Sequence, residues 1–197
     1  MRTICLLLLA SLLVASAGAS ADSWSEPTIQ GRASKNGDHI VRIIPGKSTG
    51  DVLGFAGAAT GPYAQAEWYR LKGGAYHRTG AVTLLNPVAP TQFHVSDSGA
   101  LVTLDEWHNI GTGNVVVIYA PSGALIKRYR LSDLYSADTI KKFPTTVSSI
   151  HWRCAGSDYV SGAAVFGLSD ARGGFLSFDL ATGEFHNRPN AGLCTAR

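Results

Sequence analysis

The stretch VVVIYAPSGALIKR at residues 115–128 recurs as FLSFDLATGEFHNR at residues 175–188, and this repetition decides the fold. Gly123 falls on Gly183 when the two stretches are aligned. A weaker third copy, AEWYRLKGGAYHR at residues 66–78, places a glycine at the same turn. In each copy two β-rich runs flank a loop that ends in glycine, the residue that most readily adopts the positive φ of a tight reversal. The sequence therefore predicts a repeated β-hairpin.

Short runs rich in Val, Ile, Tyr, Phe and Trp occur throughout the chain and are typical of strands. The predicted strands are residues 39–44, 63–71, 75–85, 100–107, 114–120, 124–131, 148–152, 158–168, 174–180 and 183–188. Residues 132–143 are the exception, because Ser132 can cap a short helix that ends before Pro144. The hairpin glycines lie 49 and 60 residues apart. We therefore expect an all-β array of about four small antiparallel sheets, not necessarily closed, with residues 38–55 supplying the remainder.

The N-terminus has the pattern of a secretory signal peptide. Arg2 precedes an apolar run at residues 4–14 and the small residues ASAGASA, which end at Ala21. Cleavage there gives a mature chain that begins at Asp22 and is secreted or periplasmic, with no transmembrane segment. Residues 22–197 are 176 residues, close to the usual size of one domain.

The mature chain carries 16 basic and 14 acidic residues, and both signs are interspersed. This pattern does not resemble a nucleic-acid-binding arm or a polybasic membrane patch, so we expect no nucleic-acid partner. The sequence contains no phosphate-binding loop or dinucleotide fingerprint. Zinc patterns such as HExxH or paired CxxC are absent as well. We therefore predict no cofactor and no metal.

Two cysteines, Cys154 and Cys194, remain after cleavage because Cys5 lies in the signal peptide. In an exported chain such a pair predicts a disulfide. Closing a loop of about 40 residues would stabilise the fold by roughly 4 kcal/mol in the chain-entropy model, and it would attach the C-terminal tail to the body. The alternative, a redox or nucleophilic thiol, lacks a CxxC pair or a local catalytic signature.

The run HVSDSGALVTLDEW, followed by NVVVIYAPSGALIKRYRL, resembles a β-propeller repeat of the WD-repeat or YVTN type. More narrowly, PYAQAEWYR, TLLNPVAP, LDEWHNIG, YRLSDLY and VSSIHWR together resemble a set of uncharacterised exported bacterial proteins with propeller-like repeats. The similarity covers residues 61–152. It implies a small propeller-like domain and almost no activity, because function depends on sites placed on a fold. The chain lacks the regular Trp-Asp dipeptides of the superfamily and is short for six or seven blades.

The stretch LDEWHNIGTG at residues 104–113 places acids, a tryptophan and a histidine beside a glycine-rich run. If the strand continues through it, Glu106 and His108 share one face and could pair or bind a metal. Asp105 and His151 are the other candidates for acid/base chemistry at this corner. The alternative is a structural corner, in which Asp105 and His108 bond to loop backbone while a tryptophan fills a gap between sheets.

Aromatic residues are more numerous than one small core requires, and the candidates for ligand binding are Trp68, Trp107, Tyr119 and Trp152. The alternative is packing between neighbouring sheets. The sequence favours a noncatalytic domain that recognises a protein or cell-envelope ligand. Two alternatives stay open. One is a hydrolase or lyase, possibly metal-assisted, that uses the 105–108 corner and His151. The other is a structural protein that assembles through its sheet edges.

Overall fold

The computed structural model describes residues 24–49, 61–154, 159–162 and 164–188, which form three four-stranded antiparallel sheets. In each sheet the strands lie side by side in chain order. The first sheet contains β1 (Gln30–Ala33), β2 (His39–Ile44), β3 (Gln65–Lys72) and β4 (Ala75–Thr83). The second contains β5 (Gln92–Val95), β6 (Leu101–Leu104), β7 (Val116–Tyr119) and β8 (Leu125–Tyr129). The third contains β9 (Tyr159–Ser161), β10 (Val165–Ser169), β11 (Phe175–Asp179) and β12 (Phe185–Arg188). The prediction of an all-β chain is confirmed.

The three predicted hairpins are β3–β4, β7–β8 and β11–β12, the last two strands of each sheet. Gly74, Gly123 and Gly183 all have positive φ, as the turns require. The described residues contain three sheets, whereas about four were expected. Of residues 38–55, which were expected to supply a fourth repeat, the part at 39–44 is β2 of the first sheet and residues 50–55 lie outside the described residues.

Several strand predictions need correction. Residues 148–152 form no strand, because only an isolated bridge joins Ile150 to Thr145. The strand predicted at 100–107 ends at Leu104, and the one predicted at 158–168 is divided by a turn at Gly162, whose φ is +57°. β1 and β5 were not predicted, because these four-residue strands lack a run of β-branched residues.

The predicted helix at 132–143 is two short helices, α1 (Leu131–Leu134) and α2 (Ala137–Ile140). Tyr135 separates them with an extended backbone. Ser132 lies within α1 and does not cap it. Ser136 instead caps α2 by accepting a hydrogen bond from the Thr139 amide.

The second sheet lies between the other two, so both of its faces are buried. On β7, Val117 and Tyr119 pack with the first sheet, whereas Val116 and Ile118 pack with the third. Every residue of β6 and β7 is buried. A strand covered on both faces is apolar throughout, which explains the continuous run VVVIYA.

The strand pairing shows that the sequence alignment of the second and third hairpins is wrong by one residue in the strand before the turn. Val116 pairs with Leu104, the last residue of β6, and Phe175 pairs with Ser169, the last residue of β10. Val116 therefore corresponds to Phe175 and not to Leu176, because the β11–β12 turn is one residue longer than the β7–β8 turn. A shift of one residue exchanges the two faces of a strand, so it decides which faces of two strands are equivalent. With the corrected alignment, β7 and β11 turn the equivalent face toward the preceding sheet, which means that the sheets stack head to tail.

The turns between the first and second strands of the three sheets meet at one end of the stack. The Asn36 amide donates to Asp97 Oδ1 at 2.8 Å, and the Asp97 amide donates to the Gly162 carbonyl at 3.1 Å. The backbones of neighbouring sheets also approach one another at the first strands, since β5 lies beside β1 and β9. The stack is therefore tightest along its first strands.

The signal peptide and Cys194 lie outside the described residues, so the cleavage site and the disulfide stay predictions. Cys154 is buried, with its Sγ 3.2 Å from the carbonyl oxygen of Asp170. Within the part of the chain that the structure describes, no helix is long and apolar enough to cross a bilayer.

Candidate functional site

The corner loop, residues 105–114, follows β6 directly and begins with a buried carboxylate. Asp105 is fully buried and has a φ of +53°, which is uncommon outside glycine. Its Oδ1 accepts hydrogen bonds from the Gly111 amide at 2.9 Å and from Trp152 Nε1 at 2.7 Å. Its Oδ2 pairs with Arg153 Nε at 2.8 Å. Both carboxylate oxygens are therefore occupied by contacts that hold the corner together.

The second acid of the corner loop, Glu106, is also held by contacts within the loop. Glu106 is 8% exposed, and its Oε1 accepts hydrogen bonds from the backbone amide and from Nδ2 of Asn114. Burial raises the pKa of Glu106, while the bonds from Asn114 act in the opposite direction. Gly113 makes this contact possible, since a Cβ there would lie 2.6 Å from the Glu106 carboxylate.

The corner loop is an insertion relative to the third sheet. The Asp105 amide donates to the Val115 carbonyl, and at the corresponding position the Asp170 amide donates to the Gly174 carbonyl. Nine residues separate the first pair in sequence, whereas three separate the second. Asp170 also accepts bonds from its own loop amides, as Asp105 does. The additional residues of the corner loop are those that carry Trp107 and His108.

Trp107 and His108 contact the N-terminal strap, which is residues 24–29. Trp107 Nε1 donates to the Ser25 carbonyl at 3.0 Å, and its ring centroid lies 6.0 Å from that of Trp24. The His108 ring meets Trp24 edge-on at 5.8 Å. His108 has a φ of +74°, so the corner loop holds it in a conformation that is unfavourable for most side chains.

A cleft of about 700 Å³ opens between the strap and the segment after β2. The strap contributes residues 24–27 and 29, the segment after β2 contributes residues 44–47 and 49, and Val88 and His108 complete the lining. Clefts of this volume with a mainly apolar lining and a few polar groups are typical of small-ligand sites.

The floor of the cleft is held close to two other segments. The Gly46 amide donates to the Val88 carbonyl at 2.7 Å, and the Lys47 amide donates to the Pro62 carbonyl at 2.7 Å. A Cβ at Gly46 would lie 2.2 Å from the Pro87 carbonyl oxygen, so only glycine allows this approach. The floor is therefore fixed, whereas one hydrogen bond and ring contacts connect the strap to the corner loop.

Two ring nitrogens at the cleft, Trp24 Nε1 and His108 Nδ1, are buried and have no hydrogen-bond partner among the described residues. An unpaired buried polar group costs free energy, so such atoms often mark a place where a ligand binds. Burial lowers the pKa of His108. Its imidazole is thus held in the neutral form, in which a ring nitrogen can either donate or accept.

The four residues predicted for catalysis do not converge in an open pocket. Asp105 and Glu106 are buried in the corner loop, and His151 is exposed, with no hydrogen bond to either acid. His108 alone among the four lines the cleft. The predicted shared strand face of Glu106 and His108 is wrong, because β6 ends at Leu104. Among the described residues, no group of three or more His, Cys, Asp or Glu side chains is placed to hold a metal ion.

Three of the four predicted ligand-binding aromatics lie in the core. Trp68 is 2% exposed and donates through Nε1 to the Gly99 carbonyl. Tyr119 is 2% exposed, its hydroxyl accepts from the Leu85 amide, and burial raises its pKa to about 12. Trp152 is fully buried. These placements favour the packing alternative, and only Trp107 supports a wall of the cleft.

Sequence reasoning missed the strap and the floor. Trp24 lies two residues after the predicted cleavage site, where no periodic pattern marks it. Gly46 follows Pro45 directly, but the carbonyl groups that require a glycine there belong to Pro62 and Pro87, which are distant in sequence, so no local pattern marks it. No protein-family model matches the chain, and no curated protein is significantly similar to it in sequence. The function is therefore inferred from the geometry of the chain itself.

Proposed function

We propose that the mature chain is an exported, noncatalytic binding domain whose ligand occupies the cleft between the strap and the corner loop. The observation that carries this proposal is the open cleft, where the ring nitrogens of Trp24 and His108 are buried and unpaired. A ligand that supplied hydrogen bonds to them would remove a cost that the free chain bears.

We further propose that the three sheets form a propeller-like arc. Head-to-tail stacking supports this, as does the approach of neighbouring sheets along β1, β5 and β9. In a repeat architecture, an insertion within one repeat commonly forms the binding face. The corner loop is such an insertion, and it forms a wall of the cleft.

A hydrolase or lyase at the corner is less well supported. Asp105 is fully buried, and its oxygens already accept from Gly111, Trp152 and Arg153. A general acid or base must reach the substrate proton, whereas Asp105 has no open side.

Assembly through sheet edges is also less well supported. The outer edge strands carry basic side chains, among them Arg78 on β4, Lys127 and Arg128 on β8, and Arg188 on β12. Register shifts interrupt the ladders next to β4 and β8. Charges and bulges on an edge discourage pairing with another chain.

The test is a fragment screen by two-dimensional ¹H–¹⁵N NMR on residues 22–197. The indole signal of Trp24 would be assigned by its loss in Trp24→Phe. The proposal expects bound fragments to shift the signals of Trp24, Lys47 and Val88 together. Their binding should weaken in His108→Ala and stay unchanged in His151→Ala, a matched change at an exposed histidine.

A different pattern would contradict the proposal. If bound fragments shifted signals elsewhere, or if His151→Ala weakened fragment binding as much as His108→Ala did, the cleft would not be the binding site. Turnover of an ester, amide or glycoside by the wild type, lost in His108→Ala, would replace it with the enzyme alternative.

A further inference from the structure

The lining of the cleft also indicates a class of ligand, an inference that rests on the proposed function. We infer that the cleft binds a neutral ring with several hydroxyl groups, such as one sugar residue of a cell-envelope glycan. Three properties of the lining carry this inference: its balanced charge, its flat apolar surfaces and its unpaired ring nitrogens.

Charge is balanced in the lining. Among the described lining residues, the ionised side chains are Glu26 and Lys47, which are both exposed and have opposite signs. His108 adds no charge at neutral pH, because burial lowers its pKa. Among the described lining residues there is no arginine, although arginine forks are the usual means of holding phosphate or carboxylate. Lys47 is offset by Glu26, so this lining does not favour a strongly anionic ligand.

Flat apolar surfaces surround the cleft. The rings of Trp24 and His108 meet at one end, and Pro27, Pro45 and Ile44 border the remainder. A sugar ring presents carbon-bound hydrogens on its faces and hydroxyl groups around its rim. Amphipathic aromatic residues such as tryptophan can contact both parts of such a ligand.

The two unpaired nitrogens restrict which hydrogen-bonding groups a ligand must present to the cleft. Trp24 Nε1 can only donate, and neutral His108 can donate or accept at Nδ1. A hydroxyl group both donates and accepts, so a ligand with several hydroxyl groups could bond to both nitrogens. Both atoms are shielded in the free chain, so the strap must shift for the ligand to reach them. Among the described residues, one hydrogen bond connects the strap to the corner loop, from Trp107 Nε1 to the Ser25 carbonyl, so the strap is the wall that can move.

The experiment is a titration of residues 22–197 with maltose, cellobiose and N,N′-diacetylchitobiose, followed through the indole signal of Trp24 and, in every variant including Trp24→Phe, through the backbone amide signals of Lys47 and Val88. Glucose 6-phosphate and the tripeptide Leu-Pro-Phe are the comparison probes. We expect saturable binding of at least one disaccharide and tighter binding of it than of either comparison probe. Trp24→Phe keeps an aromatic ring but removes the donor, and should weaken binding about 3- to 10-fold. Tyr76→Phe, an exposed change away from the cleft, should leave it unaltered.

Each other outcome overturns the inference. Disaccharide binding that Trp24→Phe and His108→Gln leave unchanged would place the sugar elsewhere. Binding of the tripeptide or the sugar phosphate at the cleft, with no disaccharide binding, would refute the ligand class and leave the proposed function standing. If neither these probes nor the fragment screen perturbed the cleft, both the inference and the proposed function would fail. Circular dichroism of each variant checks that it is folded.

Discussion

At the scale of the residue, Asp105 joins the corner loop to a segment that is far away in sequence. Trp152 and Arg153 lie 47 and 48 residues along the chain, and Gly111 lies within the corner loop. The sequence showed an acid beside a tryptophan and a histidine, a combination that also occurs in catalytic sites. It could not show that Trp152 and Arg153 donate hydrogen bonds to the carboxylate, because those contacts depend on the tertiary fold.

We predict that Asp105→Asn destabilises the chain by about 3 kcal/mol. The substitution keeps the volume but removes the charge that faces Arg153, which is only 10% exposed, and so leaves a nearly buried cation unpaired. Urea denaturation followed by circular dichroism would measure the change. Asp138→Asn is the matched control, because its pair with Lys141 is exposed and should alter stability little. Equal effects at the two positions would refute the structural role of Asp105.

His108 predicts a pH dependence. Burial lowers its pKa in the folded chain below the usual histidine value of 6.5, so the unfolded chain binds the proton more readily. Its contribution to stability is therefore fully present above that usual value and is lost as the pH falls below it. Between about pH 7.5 and about pH 5.5, the urea midpoint of the wild type should fall further than that of His108→Gln. His151→Gln, at an exposed histidine, should behave like the wild type. A parallel fall in wild type and His108→Gln would contradict the prediction.

At the scale of the element, the hairpins were predictable and the corner was not. A glycine turn between runs of β-branched or aromatic residues is a local signal, so the β7–β8 and β11–β12 hairpins could be predicted from the sequence. β1 and β5 are four residues long, and their pairing depends on neighbours that arrive later in the chain. The strap contact from Trp107 to Ser25 spans 82 residues, and no spacing rule relates such positions.

The glycines of the corner loop give a prediction at this scale. Gly111 has a φ of +75°, and a Cβ there would lie 2.5 Å from the Ile150 carbonyl oxygen. Gly73 has a φ of +60° but nothing within 4 Å of its Cβ position. Gly111→Ala should therefore cost about 3 kcal/mol and Gly73→Ala about 1 kcal/mol, since only the first adds a backbone clash to the strain of positive φ. Thermal unfolding of both variants would measure the difference. If the two costs were equal, the corner loop would not be as tightly packed as described.

At the scale of the whole molecule, stability depends on the second sheet. Its β6 and β7 strands supply one face to the core shared with the first sheet and the other face to the core shared with the third. Among the described residues, the outward side of the first sheet is polar, since Glu67 there pairs with Arg42 and Arg78. A polar outer face of this kind is typical of the terminal unit of a repeat array.

Because the second sheet belongs to both cores, we predict that the three sheets unfold as one cooperative unit. Trp68 reports on the core shared with the first sheet and Trp152 on the core shared with the third, and their indole signals can be followed separately by NMR in urea. Both signals should disappear at the same midpoint. Leu101→Ala, a change of about 3 kcal/mol on the face toward the first sheet, should lower both midpoints equally, although Trp152 lies on the other side. If Leu101→Ala lowered only the midpoint of Trp68, the stack would be two independently folding parts, and the strap and the corner loop would then be held by different units.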